Sequence, residues 1–165
     1  MKSLKYKKRF YRDWSYSRNL FSRIVIFQET DLQILRDKPI DSDYVIGRIK
    51  KYRRQIEGYI GKDESFLTSL QPLAVELTAP RIVREMAANS RKADVGPMAA
   101  VAGAIAQYLG HDLLRQGAKT VIIENGGDIF LKTSCVVKVG LFAGKTKILS
   151  RLKLKIDPQA TPLGI

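Results

Sequence analysis

The chain has 165 residues, 45% of them hydrophobic and 8% aromatic, which is typical of a single globular domain over residues 1–165. Its one cysteine, Cys135, excludes an intramolecular disulfide and a cysteine-rich zinc site, and no apolar stretch approaches the roughly 20 residues that a membrane helix needs. The formal net charge of +13 favours an anionic partner: a phosphorylated small molecule, a nucleic acid or an acidic protein.

The first residues, MKSLKYKKRFYRDW, are basic but are not followed by the apolar segment of an export signal. We therefore expect an untargeted, cytoplasmic protein, and we expect Cys135 to be a small core residue of a strand. A second basic stretch, KTKILSRLKLK, alternates basic and apolar residues as a half-buried strand does. Its charges are expected to form a solvated face, with attraction for an anion as the alternative.

Residues 9–37 predict two strands, RFYRDW and IVIFQETDLQIL, separated by the polar segment SYSRN. The next segment predicts an amphipathic helix that begins at Asp41 or Ser42 and ends before Gly61. Its apolar positions, spaced by three and four, are Val45, Ile49, Tyr52, Ile56 and Tyr59. Its outer face would carry Arg48, Lys50, Lys51, Arg53 and Arg54.

Two further helices are predicted, one from Pro80 through RIVREMAANSRK and one from Pro97 to Gly117, each with proline in the first turn. The second of these helices is rich in alanine and glycine, so one face has almost no side-chain bulk. Such a face favours close approach of the helix backbone to a sheet or another helix, with a ligand as the alternative.

The segments VIIENGGDIFL, SCVVKVGLFA and LKLKI predict a meander of antiparallel strands. Because strands come first, then helices, then strands again, the order predicts an α+β fold rather than a doubly wound sheet.

The first candidate site is the NGGD segment, Asn125, Gly126, Gly127 and Asp128. Two glycines tolerate positive φ, and Asn and Asp tolerate the flanking conformations, so the string by itself predicts a hairpin turn. A ligand site carried on that hairpin is the alternative.

The second candidate site is ADVGPMAA, with Asp94, Gly96, Pro97, Met98 and Ala99. The free N–H groups and the dipole of a helix start attract an anion, commonly a phosphate, and small residues let it come close. Met98 and Ala99 could touch such a ligand or simply pack.

Other chemistry finds little support in the sequence. His111 has no triad or metal-ligand spacing and is expected to be structural or solvated. The chain has no GxxxxGK[ST], GxGxxG or HExxH motif. Four carboxylates could act as acids or bases, but nothing pairs them, so they are expected at the surface: Asp31, Glu57, Asp63 and Glu64.

Together, VGPMAAVAGAIAQYLG and VIIENGGDIFL resemble the ApbE-like superfamily, and most closely its functionally uncharacterised cytoplasmic branch. The segments ETDLQI, SFLTSLQPL and IVREMA resemble that branch too, so the similarity covers residues 9–165. The resemblance implies an α+β, T-fold-related arrangement of antiparallel strands and helices in mixed layers. It also implies a flavin-nucleotide site near the two segments.

The better-known members are flavin transferases, which take FMN from FAD and attach it to a threonine or serine of an acceptor protein with magnesium. The superfamily pattern DxGGxxKG matches this chain at Asp94 and Gly96, but Pro97 replaces the second glycine, Ala100 the lysine and Val101 the last glycine. The NGGD segment follows the NxGGD-like turn of the transferases closely. Loss of a cation beside a phosphate commonly weakens catalysis, so the resemblance supports binding of FAD or FMN more than transfer.

In the superfamily, a Gly, Ser and Thr-rich segment and an Asp-containing stretch follow the point where this chain stops. Some of the metal ligands of the transferases lie in those segments, so no metal site is assigned in this chain. A chain truncated at that point would leave a sheet edge unpaired, which favours pairing with another chain as a homo-oligomer.

Three functions therefore remain open. The first is binding of a flavin or related phosphorylated ligand, with residues 94–99 at the anion end and residues 125–128 on the ribose side. The second is a magnesium-dependent FAD:protein FMN transferase that uses an arginine in place of the lysine. The third, a basic nucleic-acid-binding module, has no recognised motif behind it.

Overall fold

The structure is a computed structural model that describes residues 9–14, 19–140 and 152–165. Three predictions lie wholly or mainly outside these residues: those for SYSRN, for residues 141–143 of SCVVKVGLFA and for residues 145–151 of the basic stretch. Helices and antiparallel strands occupy separate stretches of the chain, which confirms the predicted α+β fold.

The described residues contain seven strands: β1 (Phe21–Phe27), β2 (Thr30–Arg36), β3 (Val121–Asn125), β4 (Asp128–Lys132), β5 (Val137–Gly140), β6 (Lys153–Ile156) and β7 (Leu163–Gly164). Five of them form one antiparallel sheet in the order β1-β2-β3-β4-β7. The other two, β5 and β6, form a separate pair.

The predicted C-terminal meander is therefore wrong beyond β4. After that strand the Thr133 hydroxyl accepts a hydrogen bond from Cys135 N at 3.2 Å and donates one to Cys135 O at 2.8 Å. Because of this local turn, the chain stops pairing with the main sheet after β4, and β5 lies outside that sheet. Cys135 lies in the turn and is exposed, so its predicted core position is also wrong.

The N-terminal strands differ from the prediction as well. Residues 10–14 form a 3₁₀ turn, not a strand, because Arg12 turns inward to buried carboxylates. The single strand predicted over IVIFQETDLQIL is a hairpin in which Phe27 pairs with Thr30. The two-residue turn between them includes Gln28 at φ +53°.

The helices are α1 (Ser42–Ile60), α2 (Ser65–Thr68), α3 (Arg81–Lys92) and α4 (Val101–Arg115). In α1 the five predicted apolar residues are the buried ones, and Asp41 caps the first turn by accepting from Asp43 N and Tyr44 N. The prediction for α3 is confirmed. A 3₁₀ turn over Pro97–Ala100 leads into α4, which ends shortly before Gly117 at φ +82°.

The outer face predicted for α1 holds only in part. Lys50, Lys51 and Arg54 are exposed. Arg48 instead forms an ion pair with Asp112 of α4, and Arg53 pairs with Glu29 at 2.7 Å.

The small residues of α4 serve helix-to-sheet packing, as expected. A Cβ atom added at Gly110 would lie 2.1 Å from the Phe130 ring of β4. A bulkier helix would therefore stand off from the sheet, and the core between them would open.

The core has two parts. One lies between the sheet and helices α1 and α4, where Leu32, Ile34 and Ile123 are fully buried. The other lies among α1, α3 and α4 around Phe66, Ile82 and Met86. In the described part of the chain, no helix combines the length and apolar character needed to cross a membrane.

Candidate ligand cleft at the NGGD turn

The NGGD segment is a hairpin turn whose tip is docked onto a helix. Asn125 and Asp128 are paired at the ends of β3 and β4, with Gly126 at φ +70° and Gly127 at φ +110° between them. Positive φ at both central residues is the geometry that favours glycine in two-residue hairpins, so the predicted turn is confirmed. The Asn125 side-chain amide donates to Ala102 O at 3.0 Å in the first turn of α4.

Beside this turn lies a cleft of about 230 Å³ between helices α3 and α4 and strands β4 and β7, of which β7 is the edge strand of the sheet. Asp128 and Gly103 face each other across it, since a Cβ atom added at Gly103 would lie 3.5 Å from Asp128 Oδ2. The absence of a side chain at Gly103 leaves this carboxylate accessible from the helix side.

The cleft is lined mainly by small and apolar residues, with four polar side chains among them. Glu85 and Asp128 contribute carboxylates, and Asn89 and Gln107 contribute side-chain amides. No lysine or arginine of the described residues lines it. The arrangement can accept hydrogen bonds from hydroxyl or imide groups, whereas a phosphate would need a cation to offset the two carboxylates.

The residues of the second candidate site lie mostly outside this cleft. Asp94 is exposed, at φ +54°, and Ala99 is exposed too. Pro97 is buried, and Met98 packs against the second core cluster. Of the segment after Gly96, Ala100 lines the cleft.

Gly96 itself has a packing role. A Cβ atom there would lie 1.8 Å from Ser69 O and 2.7 Å from Ser69 C, so the backbone after α2 occupies the space beside it. The NGGD turn thus contacts residues 102–103 in the first turn of α4, while a ligand role for residues 94–99 stays a prediction.

On the opposite side of the sheet the turn is backed by a buried ionic cluster. Arg12, only 4% exposed, donates to Asp31 Oδ1 at 2.6 Å and to Glu124 Oε2 at 2.5 Å. Arg9 lies 3.3 Å from a carboxylate oxygen of each acid. The expectation that Asp31 is a surface carboxylate is therefore wrong.

Sequence patterns did not predict this cluster, because its basic members, Arg9 and Arg12, lie in RFYRDW, for which a strand was predicted. The available signal was a charged residue inside an apolar strand, Glu124 in VIIEN. Burial by itself lowers the pKa of Arg12, but its hydrogen bonds to Asp31 and Glu124 outweigh burial and raise that pKa. Burial, followed by the hydrogen bond to Glu124, raises the pKa of Tyr11.

Two titratable groups lie behind the cleft wall. The His111 ring meets Phe130 edge to face with centroids 5.1 Å apart, and burial, helped by Arg115, lowers the pKa of His111. Burial and the neighbouring Glu85 raise the pKa of Tyr108. At neutral pH both groups are therefore uncharged, and His111 is structural, as expected.

A search of the described residues finds no group of three or more His, Cys, Asp or Glu side chains placed to hold a metal ion. A metal in the cleft would have to complete its coordination with ligand atoms or water, as Mg²⁺ commonly does with phosphates.

Comparison with known proteins gives one family match and a set of archaeal relatives. A family model described as AbpE bacteria matches residues 14–165. A UPF0280 protein of Methanococcus vannielii is 39% identical over 145 residues, which cover 88% of this chain and 59% of that protein. The UPF0280 protein of Methanocaldococcus jannaschii is 42% identical over 139 residues, 84% of this chain and 56% of that protein.

A third relative, a UPF0280 protein of Methanospirillum hungatei, is 39% identical over 138 residues, again 84% of this chain and 56% of that protein. The chain thus spans less than two thirds of the length of each of these relatives.

Proposed function

Since the chain belongs to the family described as AbpE bacteria, we propose that it is an ApbE-like protein that binds a flavin nucleotide or a related phosphorylated ligand beside Asp128. One observation carries the proposal: the NGGD turn is docked on the first turn of α4 and presents Asp128 to a cleft across from Gly103. This is the part of the superfamily pattern that the chain keeps most completely.

The chemistry of the cleft suits the hydroxyl-rich part of such a ligand. Ribityl or ribose hydroxyls donate to carboxylates, and Asp128 and Glu85 are there to accept. The cleft, about 230 Å³, is smaller than the roughly 300–1,000 Å³ of a typical small-molecule pocket, so it takes part of the ligand. The remainder lies over the surface.

Magnesium, if the ligand brings it, would be held in the cleft by carboxylates and would supply positive charge there. Mg²⁺ is usually held by one or two carboxylates together with phosphate oxygens. Asp128 and Glu85 are the candidates for the protein side of that coordination, and the ion would supply the positive charge that the cleft wall lacks. Asp128 then orients the ligand whether it accepts from a hydroxyl or contacts the ion.

We propose binding ahead of transfer because Ala100, which stands where the transferases have a lysine, lines the cleft. No described cation takes the place of that lysine in the cleft wall. The transferase alternative predicts magnesium-dependent release of AMP from FAD when an acceptor protein is supplied. Absence of turnover by protein that carries bound FAD would remove this alternative.

The binding proposal is tested by titrating the chain into FMN and into FAD, with and without Mg²⁺, and following flavin fluorescence. Asp128→Ala is expected to weaken binding at least about tenfold, because one hydrogen bond to a charged group contributes about 1.5–3 kcal/mol. Its melting temperature should stay near that of the parent chain, since Asp128 is half-buried at a turn.

The matched control is Asp157→Ala, which removes an exposed carboxylate outside the cleft lining. Equal affinity in all three proteins would refute the proposed role of Asp128. A parent chain that binds neither FMN nor FAD would refute the proposal itself.

A further inference from the structure

The turn that carries Asp128 is held from its far side by the N-terminal segment Arg9 to Arg12. Asp31 and Glu124 point to the sheet face away from the helices, since they are out of phase with core residues such as Leu32 and Ile123. Arg12 spans the two acids: Nε donates to Glu124 Oε2 at 2.5 Å and Nη1 to Asp31 Oδ1 at 2.6 Å. Its Nη2 donates to Asp31 O at 2.7 Å.

The second oxygen of Glu124 ties this segment to the turn. Glu124 Oε1 accepts from Gly127 N at 2.9 Å and from the Tyr11 hydroxyl at 2.8 Å. Arg9 Nη1 lies 3.3 Å from the same oxygen. One carboxylate therefore connects Arg12, Tyr11 and the backbone of the residue directly before Asp128.

This connection restricts a turn whose two central residues are both glycines. Two successive glycines have more accessible backbone conformations than any other pair, so the sequence alone leaves the turn loosely specified. A hydrogen bond from Gly127 N to an ionised carboxylate is stronger than one to a neutral acceptor. Glu124 is 8% exposed, and burial of an acidic side chain is costly unless the group is paired and hydrogen-bonded.

We propose that Arg12 is a positioning residue for the cleft: by holding the Glu124 carboxylate in place, it fixes the acceptor of the Gly127 N–H and hence the direction in which Asp128 enters the cleft. The effect on the turn follows from the contacts of Glu124. The effect on ligand affinity rests, in addition, on the proposed function.

The experiment compares Arg12→Gln with the conservative Arg12→Lys, using Arg54→Gln as the control for loss of an exposed arginine. Two quantities are measured in the full chain: the amide hydrogen exchange rate of Gly127 by NMR, and the affinity for FMN. In Arg12→Gln, Gly127 exchange should accelerate and FMN affinity should fall, each about tenfold, the size expected for loss of one net hydrogen bond.

Arg12→Lys should recover a large part of both values because it keeps a charge beside Glu124, and Arg54→Gln should change neither. Amides in the middle of α1, such as Ile49, report global stability and should exchange at the parent rate. A merely structural role for Arg12 would accelerate Ile49 and Gly127 together.

Should Arg12→Gln fail to fold, Tyr11→Phe serves instead, because it removes only one donor to Glu124 Oε1 and leaves Arg12 in place. It should accelerate Gly127 exchange by a smaller factor. Unchanged exchange of Gly127 in whichever of these variants folds would overturn the proposal. Faster exchange of Gly127 with unchanged FMN affinity would overturn it too. If the parent chain binds no FMN, the proposed function fails, whereas the exchange rate of Gly127 still decides whether Arg12 positions the turn.

Discussion

Asp112 shows how a single buried charge can join two helices. It is 2% exposed on α4 and accepts hydrogen bonds from Arg48 and Tyr52 of α1 and from Arg115 of its own helix. The hydrogen bond to Asp112 raises the pKa of Arg48, while burial, together with Asp112, raises the pKa of Tyr52 to about 12. The Asp112 carboxylate thus lies between two arginines and a tyrosine hydroxyl that all donate to it.

Removal of this carboxylate should destabilise the chain strongly. Asp112→Ala leaves Arg48 and the Tyr52 hydroxyl without their acceptor, and loss of one partner of a buried pair costs about 3–5 kcal/mol. Arg115→Ala should cost less than about 1 kcal/mol, because that side chain is 67% exposed and solvent screens its pairing. Urea unfolding, followed by circular dichroism, measures the free energy of unfolding of both variants. Equal decreases in the two would show that Asp112 does not join the helices.

At the scale of elements, the structure explains which predictions succeed. The first helix could be predicted to its cap because periodic apolar residues, Asp41 and Gly61 are local signals. The NGGD hairpin could be predicted for the same reason, since two glycines between Asn and Asp permit the positive φ that a two-residue turn requires.

The failures involve distant partners. RFYRDW has the composition of a strand, but its conformation is decided by Asp31 and Glu124, which are 19 and 112 residues from Arg12. The separation of β5 from the main sheet depends on a turn centred on Thr133 and on pairing with β6 across a long interval. For the cleft, the sequence predicted the Asn125 to Asp128 side, but Gly103 and Glu85 join it only through helix packing.

The loop after α2 and the 3₁₀ turn before α4 form a contact that a substitution can test. Gly96→Ala would place a methyl group 1.8 Å from Ser69 O, so the two backbones must separate. Such overpacking costs about 1–3 kcal/mol. The destabilisation should appear as a lower denaturation midpoint.

Gly47 supplies the matched control, because it lies inside α1 and a Cβ atom there would meet nothing within 4 Å. Gly47→Ala should therefore raise the free energy of unfolding, by about 0.5–1 kcal/mol. A Gly96→Ala chain as stable as Gly47→Ala would contradict the packing role assigned to Gly96.

At the scale of the whole molecule, charge is distributed unevenly. The chain carries a formal charge of +13, and Lys50, Lys51 and Arg54 of α1 are exposed, yet the cleft wall bears carboxylates. If the proposed ligand binds, a positive exterior would raise its local concentration, whereas the cleft would select for hydroxyls or for a phosphate paired with a cation. Attraction and recognition would then belong to different surfaces, so salt should weaken them to different extents.

The central claim is that a flavin nucleotide binds beside Asp128, and its most direct test is an NMR titration of the labelled chain with FMN in the presence of Mg²⁺. The largest amide shifts are expected at Gly103, Gly127 and Asp128, and Asp128→Ala should reduce them. Shifts confined to exposed basic residues such as Lys50 and Lys119, or no shifts at all, would contradict it.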